Sequence, residues 1–199
     1  MKKLFITLFI SVLALGSASA QGEFKVGVEA GAGLSMRSDH ETCPSYNFGI
    51  IGEYHFNKDW MLDGSLKLSS RNSKYQIAPG DNKVECDPHY LELPIHVAKK
   101  FNVSDNTTLF VGAGPMIGYG LFGNTKARMS GIINGEKVTE VRTEKYFDTH
   151  LNLEHGFSIK AGVDIKKGYR LSVGYNMVNH GGHSSNSSHN LSLNLGYIF

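Results

Sequence analysis

Apolar and polar residues alternate in the last residues of the chain, and the same alternation recurs along the sequence. From Leu191 to Phe199 every second residue is Leu, Tyr or Phe. Side chains of a β-strand point alternately to its two faces, so this pattern predicts a strand with one apolar face. The pattern occurs in eight segments: about 24–35, 46–56, 60–70, 89–101, 107–122, 149–165, 169–178 and 190–199. Each segment is close to or longer than the ~9–11 residues with which a tilted strand crosses a membrane.

The connections between these segments alternate between short and long. The short ones cover 57–59, 102–106 and 166–168, and the long, polar ones cover 36–45, 71–88, 123–148 and 179–189. Short turns at one end and long loops at the other are typical of outer-membrane barrels. We therefore predict an all-β fold, an eight-stranded antiparallel transmembrane β-barrel with short periplasmic turns and long extracellular loops. A soluble periplasmic barrel of the lipocalin type is a weaker alternative.

The first 20 residues have the pattern of a secretory signal peptide. Two lysines precede an uncharged apolar run, and Ala18-Ser19-Ala20 forms a small-residue cleavage site. We predict that residues 1–20 are the signal peptide and that residues 21–199 form one outer-membrane β-barrel domain. The formal net charge is only +2 at pH 7, which argues against a nucleic-acid partner.

Aromatic residues cluster at the short-turn ends of the predicted strands. On the parity of the closing segment, the residues nearest the short turns are Phe24, Phe56, Trp60, Phe101, Leu109, Ile165, Tyr169 and Phe199. Six of these eight are aromatic, and aromatic side chains favour the headgroup region of a membrane. We predict that these six form an interfacial girdle on the lipid-facing side. A weaker second ring is expected near the long loops, at Tyr46, Tyr119 and Tyr175.

The residues that alternate with this apolar set include nearly equal numbers of acidic and basic side chains. The predicted members are Lys25, Glu29, Glu53, Asp63, Lys67, Glu92, Lys100, Glu154, Lys160, Asp164 and Arg170. The interior of an eight-stranded barrel is just wide enough for side chains to fill it. Because an unpaired buried charge is costly, we predict a network of ion pairs that closes the lumen. Pro94 and Pro115 lie inside strands and cannot donate ladder hydrogen bonds, which predicts a bulge or a local break.

The long connections carry cysteine and histidine residues. Cys43 and Cys86 lie in neighbouring loops of an exported protein, so we predict a disulfide between them, with two free thiols as the alternative. His180, His183 and His189 lie in a Gly/Ser-rich segment. We favour a polar surface loop over a metal site there, because no cysteine or carboxylate accompanies the histidines. No metal site and no cofactor are predicted.

Serine and histidine are also abundant near the predicted outer ends of the strands. The residues concerned are His150, His155, His180, Ser184 and Ser185. Some eight-stranded barrels modify lipid A, but catalysis needs a nucleophile, a base and an orienting group in contact. No spacing motif indicates such a constellation, and we predict no catalytic residues.

Four segments resemble a known family. They are "YLELPIHVAKKF" (90–101), "FVGAGPMIGY" (110–119), "RLSVGYN" (170–176) and the closing "LSLNLGYIF". They are similar to the small porin-like outer-membrane β-barrel proteins common in Bacteroidota, with the architecture of OmpX and of the OmpA membrane domain. The resemblance implies an outer-membrane location and insertion by the barrel-assembly machinery. It implies no shared catalytic residues.

We therefore predict a non-enzymatic outer-membrane protein with a structural or surface-interaction role through its extracellular loops. Its lumen is expected to be filled with charges and closed. A narrow porin that passes ions or small solutes is the alternative, and a lipid A-modifying enzyme is a weaker one. Expected partners are outer-membrane lipid, the assembly machinery and a host or cell-surface ligand, and we expect a monomer.

Overall fold

The computed structural model describes residues 22–77, 82–133, 136–148, 152–165, 168–180 and 187–199. In chain order the strands are β1 (Glu23–Arg37), β2 (Cys43–His55), β3 (Trp60–Ser70), β4 (Ser73–Gln76), β5 (Lys83–Cys86), β6 (His89–Ser104), β7 (Thr107–Phe122), β8 (Asn124–Ile133), β9 (Glu136–Lys145), β10 (Leu153–Ile165), β11 (Tyr169–His180) and β12 (Ser187–Ile198). One turn of 3-10 helix, Tyr146–Asp148, follows β9. The described part of the chain has no helix of the length and hydropathy needed to cross a membrane. The predicted signal peptide lies outside the described residues.

Within these residues, eight strands form a closed antiparallel barrel in the order β1-β12-β11-β10-β7-β6-β3-β2. The seam joins the first strand to the last, with Val28 opposite Tyr197 and Leu34 opposite Leu191. The alternation at the end of the chain therefore belongs to the strand that closes the barrel. Each predicted segment corresponds to one barrel strand, and the predicted eight-stranded antiparallel barrel is confirmed.

The barrel wall is apolar outside and polar inside. In β12, Leu195 is 68 % exposed whereas its neighbour Asn194 is 1 % exposed. In β1, Val28 is 48 % exposed whereas Glu29 is 4 % exposed. A barrel that folds in water would have the reverse arrangement, because apolar side chains are stabilised by removal from water. The exposed apolar wall is therefore suited to lipid tails.

The aromatic side chains near the short turns lie on this outer wall. All six predicted girdle residues are exposed: Phe24, Phe56, Trp60, Phe101, Tyr169 and Phe199. The rings of Tyr169 and Tyr197 contact each other with centroids 5.3 Å apart, and Phe199 lies 5.5 Å from Tyr197. Lys99 Nζ lies 5.7 Å from the ring centroids of both Trp60 and Phe101. At the other end of the barrel, Tyr46, Tyr119 and Tyr175 are exposed as well.

The ladder is interrupted at the two strand prolines. Pairing of β3 with β6 passes from Gly64–Ile95 directly to Lys67–Glu92. Pairing of β6 with β7 passes from Pro94–Met116 to Val97–Ala113, which leaves Pro115 out of that ladder. Because proline has no N–H to donate, the expected local break occurs where the chain cannot complete its hydrogen bonds.

The two longest connections, predicted as loops, contain a second antiparallel sheet. Its strands lie in the order β4-β5-β8-β9, and we call it the loop sheet. Only Gly123 separates β7 from β8, so the sheet rises directly from the long-loop end of the barrel. The sequence pattern does not predict these strands, since β4 and β5 have four residues each and β9 lacks regular alternation.

Candidate functional site

Charged side chains fill the middle of the lumen. We call this group the central charge cluster: Glu29, Glu53, Asp63, Lys67, Lys160 and Arg170, all buried. Lys160 Nζ lies 3.1 Å from Glu29 Oε2 and 3.3 Å from Asp63 Oδ1. Arg170 pairs with Asp63 at 2.8 Å and also contacts Glu53. Since these residues come from different strands around the barrel, the pairs link opposite parts of the wall across the lumen.

A second group of charges lies nearer the long loops. Arg71 Nη2 lies 2.7 Å from Glu92 Oε1, and Arg71 Nη1 lies 2.9 Å from Glu154 Oε1. Arg71 is also stacked over the ring of Tyr90, 5.1 Å from its centroid. We call Arg71, Glu92 and Glu154 the outer charge cluster. Arg71 is not among the predicted lumen charges, because it lies just beyond β3, in a segment predicted as a loop.

Glycines provide the space that the long charged side chains occupy. Gly118 lies opposite both Glu92 and Glu154 in the ladders. A Cβ atom at Gly118 would lie 2.5 Å from Glu154 Oε1, closer than non-bonded atoms approach. Gly112 and Gly174 lie opposite Lys160 in the ladders, and a Cβ atom there would meet Ala98 at 2.7 Å and Ser192 at 3.2 Å, respectively. The alternation of glycine with charge is therefore a packing requirement of the narrow lumen.

The other predicted lumen charges lie at the turn end, where they are partly exposed. Lys25 Nζ lies 3.4 Å from Glu23, and Lys100 Nζ donates to His55 Nδ1 at 2.7 Å. Asp164 accepts from Arg170 Nε at 2.6 Å. Lys25 and Asp164 line a cavity of about 500 Å³ that opens at this end of the barrel. Solvent therefore reaches the lumen from the turn end as far as the edge of the central charge cluster.

A row of serine, histidine and aspartate lies within the lumen. His96 Nε2 lies 2.8 Å from Ser158 Oγ, and His96 Nδ1 lies 3.2 Å from Asp63 Oδ1. Serine hydrolases arrange the same three groups in this order. Here Ser158 donates its hydrogen bond to Asn176 Oδ1 at 2.6 Å, and both Ser158 and His96 are 2 % exposed. Both side chains are therefore enclosed in the lumen, and the Ser158 hydroxyl is hydrogen-bonded on two sides.

The inner face of the loop sheet packs against aromatic side chains over the barrel mouth. The packed side chains are Tyr75, Val84, Cys86, Ala127, Tyr146 and Phe147. The Tyr146 hydroxyl is hydrogen-bonded to Arg37 and Tyr90, and burial raises its pKa. The Phe147 ring meets the Tyr90 ring edge-on at 5.5 Å. The 3-10 turn thereby joins the loop sheet to Tyr90, the side chain over which Arg71 stacks.

Cys43 and Cys86 are two free, buried thiols, which is the alternative to the predicted disulfide. Cys43 Sγ lies 3.5 Å from the carbonyl oxygen of Glu41, and Cys86 Sγ lies 3.8 Å from Thr125 Oγ1. Cys43 lies opposite β1, Cys86 lies between β4 and β8, and both line one cavity of about 260 Å³. Burial raises the pKa of the Cys86 thiol, which favours its protonated form.

Part of the histidine-rich fourth connection lies outside the described residues, including His183, Ser184 and Ser185, and so does His150. His189 belongs to β12, where its Nδ1 lies 2.7 Å from the Tyr175 hydroxyl. Among the residues that the structure describes, no group of three or more His, Cys, Asp or Glu has an arrangement suited to a metal ion.

Comparisons with known proteins agree with this architecture. A family model described as "outer membrane protein beta-barrel domain" matches residues 5–199. The outer membrane enzyme PagL is similar over 86% of this chain and 98% of its own, with 16% identity and a TM-score of 0.53. Ail, the attachment invasion locus protein of Yersinia pestis, is similar over 90% and 99%, with 14% identity and a TM-score of 0.44. A search of curated proteins finds no match.

Proposed function

Because this chain belongs to the outer membrane protein beta-barrel domain family, we propose that its barrel is a closed, non-enzymatic scaffold for an interaction surface. The protein is located in the outer membrane. Its long-loop end faces the outside of the cell, and its termini face the periplasm. The loop sheet is the part that meets other molecules, such as a ligand on a host or on another cell.

The observation that carries this proposal is that the two longest connections fold into a sheet of their own. Its apolar cluster around Val84 and Tyr146 is separate from the apolar cluster of the barrel, which contains Met61, Ala98 and Phe110. Ordering these connections costs roughly 1–2 kcal/mol of backbone entropy per residue, so the sheet needs the packing that the cluster supplies. A barrel that served only to stabilise the membrane would gain nothing from a folded structure above its mouth.

The ion pairs in the lumen support the proposal that the barrel is closed. Arg71, Lys160 and Arg170 each contact two or more carboxylates, and an ion that crossed the barrel would have to separate these pairs. Separation of a buried pair costs several kcal/mol, which makes steady conduction unfavourable. The Ser158–His96–Asp63 row is enclosed by the same side chains, which argues against hydrolysis. The enzyme PagL has a similar fold, so this point needs its own test.

A variant without the loop sheet tests the interaction role. Residues 73–86 and 124–145 are replaced by short Gly/Ser turns, and folding is checked by the heat-dependent gel mobility of the barrel. Cells that display the intact protein should bind to one or more ligands on an array of purified glycans and matrix proteins, and cells with the shortened variant should not. Identical binding by both would contradict the proposal.

A narrow porin is the second candidate, and the cavity of about 500 Å³ at the turn end favours it. Conductance across a planar bilayer separates the two functions. If the barrel is a closed scaffold, the intact protein should produce no conductance steps. Steady, reproducible steps that disappear after Lys25→Gln or Asp164→Asn would instead show that solutes pass through this cavity.

Contact with lipid has a direct spectroscopic test, because Trp60 is the only tryptophan of the chain. We propose that the six girdle residues lie at the headgroup level near the turns. Trp60 fluorescence should therefore be quenched most strongly by a nitroxide label near the headgroups and less by one at the chain end. Stronger quenching by the deep label would place Trp60 in the hydrocarbon region and exclude an interfacial girdle.

A further inference from the structure

The two faces of the loop sheet have different chemical character. Directly opposed residues of neighbouring strands lie on the same face, so the register assigns every described side chain. The inner face includes Val84 and Cys86 and packs over the barrel mouth. The outer face consists of Lys74, Gln76, Lys83, Glu85, Asn124, Lys126, Arg128, Ser130, Ile132, Thr139, Val141, Thr143 and Lys145. We call the latter the basic face.

Positive charge dominates the basic face. Five cations, Lys74, Lys83, Lys126, Arg128 and Lys145, accompany one carboxylate of the sheet, Glu85, and Glu41, which pairs with Lys74 from beside the sheet, so these described side chains give a net charge of +3. Glu85 is engaged by Lys74 at 3.2 Å. All five cations are exposed. A face that needed charge only for solubility would be served by mixed signs, as on the inner face, where Arg142 pairs with Glu140 at 2.8 Å.

One pair on the basic face lowers the stability of the sheet. Lys83 and Arg128 lie directly opposite each other in β5 and β8. Like charges in this position destabilise a sheet, and β5 has only four residues to hold it in place. An anion between the two side chains would remove the repulsion. Local features that oppose stability are expected where a surface binds something.

We propose that the basic face binds a sulfated polysaccharide. Neighbouring strands are about 4.8 Å apart, and residues two apart along a strand are about 6.7 Å apart. The cations therefore form an extended array, which matches a chain with repeated anionic groups better than it matches a single small anion. This inference rests on the proposed function and names the chemical class of the ligand.

The neutral residues of the basic face favour a polysaccharide over nucleic acid. Ser130, Thr139 and Thr143 present hydroxyl groups; those of Ser130 and Thr139 lie 3.0 Å apart in a mutual hydrogen bond, and each hydroxyl oxygen can still accept a hydrogen bond from a sugar. Among its described residues the face has no aromatic side chain on which a base could stack. Sulfate groups remain ionised at any physiological pH, so binding should depend on salt more than on pH.

Heparin is the probe, and the full mature protein in phosphatidylcholine nanodiscs is the receptor. Binding to immobilised heparin should weaken strongly when the ionic strength rises from about 0.1 M to about 1 M, because the Debye length falls from about 10 Å to about 3 Å. Lys83→Gln combined with Arg128→Gln should weaken binding about tenfold. The substitutions remove the like-charge pair, so the variant should fold at least as well as the parent.

Arg128→Gln and Arg142→Gln form the matched comparison, since both remove one exposed arginine from the loop sheet, on opposite faces. The proposal expects weaker heparin binding from Arg128→Gln and unchanged binding from Arg142→Gln. Equal losses would mean that only net charge matters and would overturn it. Tighter binding to DNA, or to vesicles with anionic lipid, than to heparin would also overturn it.

The proposed function can survive a negative result with heparin. If cells lose binding to a neutral glycan or to a protein when the loop sheet is removed, only the ligand class is wrong. If removal of the loop sheet changes no binding at all, the interaction role itself is wrong. The two failures are therefore distinguishable with the same set of variants.

Discussion

Charged side chains follow opposite rules in the lumen and on the loop sheet. In the central charge cluster, Asp63 contacts both Lys160 and Arg170, and acids and bases are matched. On the basic face, five cations have only two carboxylates beside them, Glu85 within the sheet and Glu41 at its edge. The Coulomb energy of a charge is large in the buried lumen and small where water and salt screen it. Stability therefore dictates pairing inside the barrel, while outside an excess of one sign points to a ligand.

The largest effect on stability is expected from Asp63→Asn, which tests this difference between the lumen and the loop sheet. The substitution keeps the shape of the side chain but leaves Lys160 and Arg170 short of a buried carboxylate. We expect it to lower the free energy of unfolding by about 3–5 kcal/mol, or to prevent insertion. Urea-induced unfolding in lipid vesicles measures the effect.

The control for Asp63→Asn is Glu140→Gln, which removes an exposed carboxylate that pairs with Arg142 in the loop sheet. Its cost should stay below about 1 kcal/mol, because water screens the remaining arginine. If the two substitutions cost the same, burial does not distinguish the two regions, and the argument from pairing fails.

Arg71→Met should have a slightly smaller effect. Glu92 and Glu154 then remain in the lumen without their shared cation, and we expect a loss of about 3 kcal/mol in the free energy of unfolding. Further replacement of both glutamates by leucine should recover most of that loss, since apolar side chains need no partner. A triple variant as unstable as the single one would show that Arg71 stabilises the mouth by packing on Tyr90 instead.

The barrel is readable from the sequence because the membrane imposes a rule on every strand. Lipid on one side and a narrow polar lumen on the other force period-two alternation. The same parity assigns Glu29, Asp63 and Lys160 to the interior. Such alternation involves residues that are close together in the chain, so it can be recognised in a single sequence.

Other features depend on where distant residues meet. Lys160 and Glu29 are 131 positions apart and meet across the lumen, which no local pattern encodes. The loop sheet has no lipid to face, and its strands carry no strong pattern, since β4 and β5 have four residues each and β9 lacks regular alternation. Cys43 and Cys86 were predicted to pair because they lie in neighbouring loops of an exported protein, but both are free, and Cys86 lies inside the loop sheet between β4 and β8.

Ser158→Ala tests whether the lumen row has only a structural role. Loss of the hydroxyl leaves His96 Nε2 and Asn176 Oδ1 without this partner, and we expect a cost of about 1–3 kcal/mol in the free energy of unfolding. A fluorophosphonate probe should not label the folded protein, and the mass of lipid A should be unchanged on expression. Labelling that disappears in Ser158→Ala would reveal a working nucleophile.

The smallest effect on stability is expected from Glu85→Gln. Glu85 is the one carboxylate among the described side chains of the basic face, and it is exposed next to Lys74. Its removal should change the free energy of unfolding by less than about 1 kcal/mol. Heparin binding should nevertheless become a few times tighter, because Lys74 and Lys126 are released from their carboxylate neighbour.

Unchanged heparin binding would mean that the ligand does not lie across β4 and β5, and it would confine the site to β8 and β9. The same type of substitution thus lowers stability in the lumen and raises affinity on the loop sheet, because buried charges are held by their partners and exposed ones are available to a ligand.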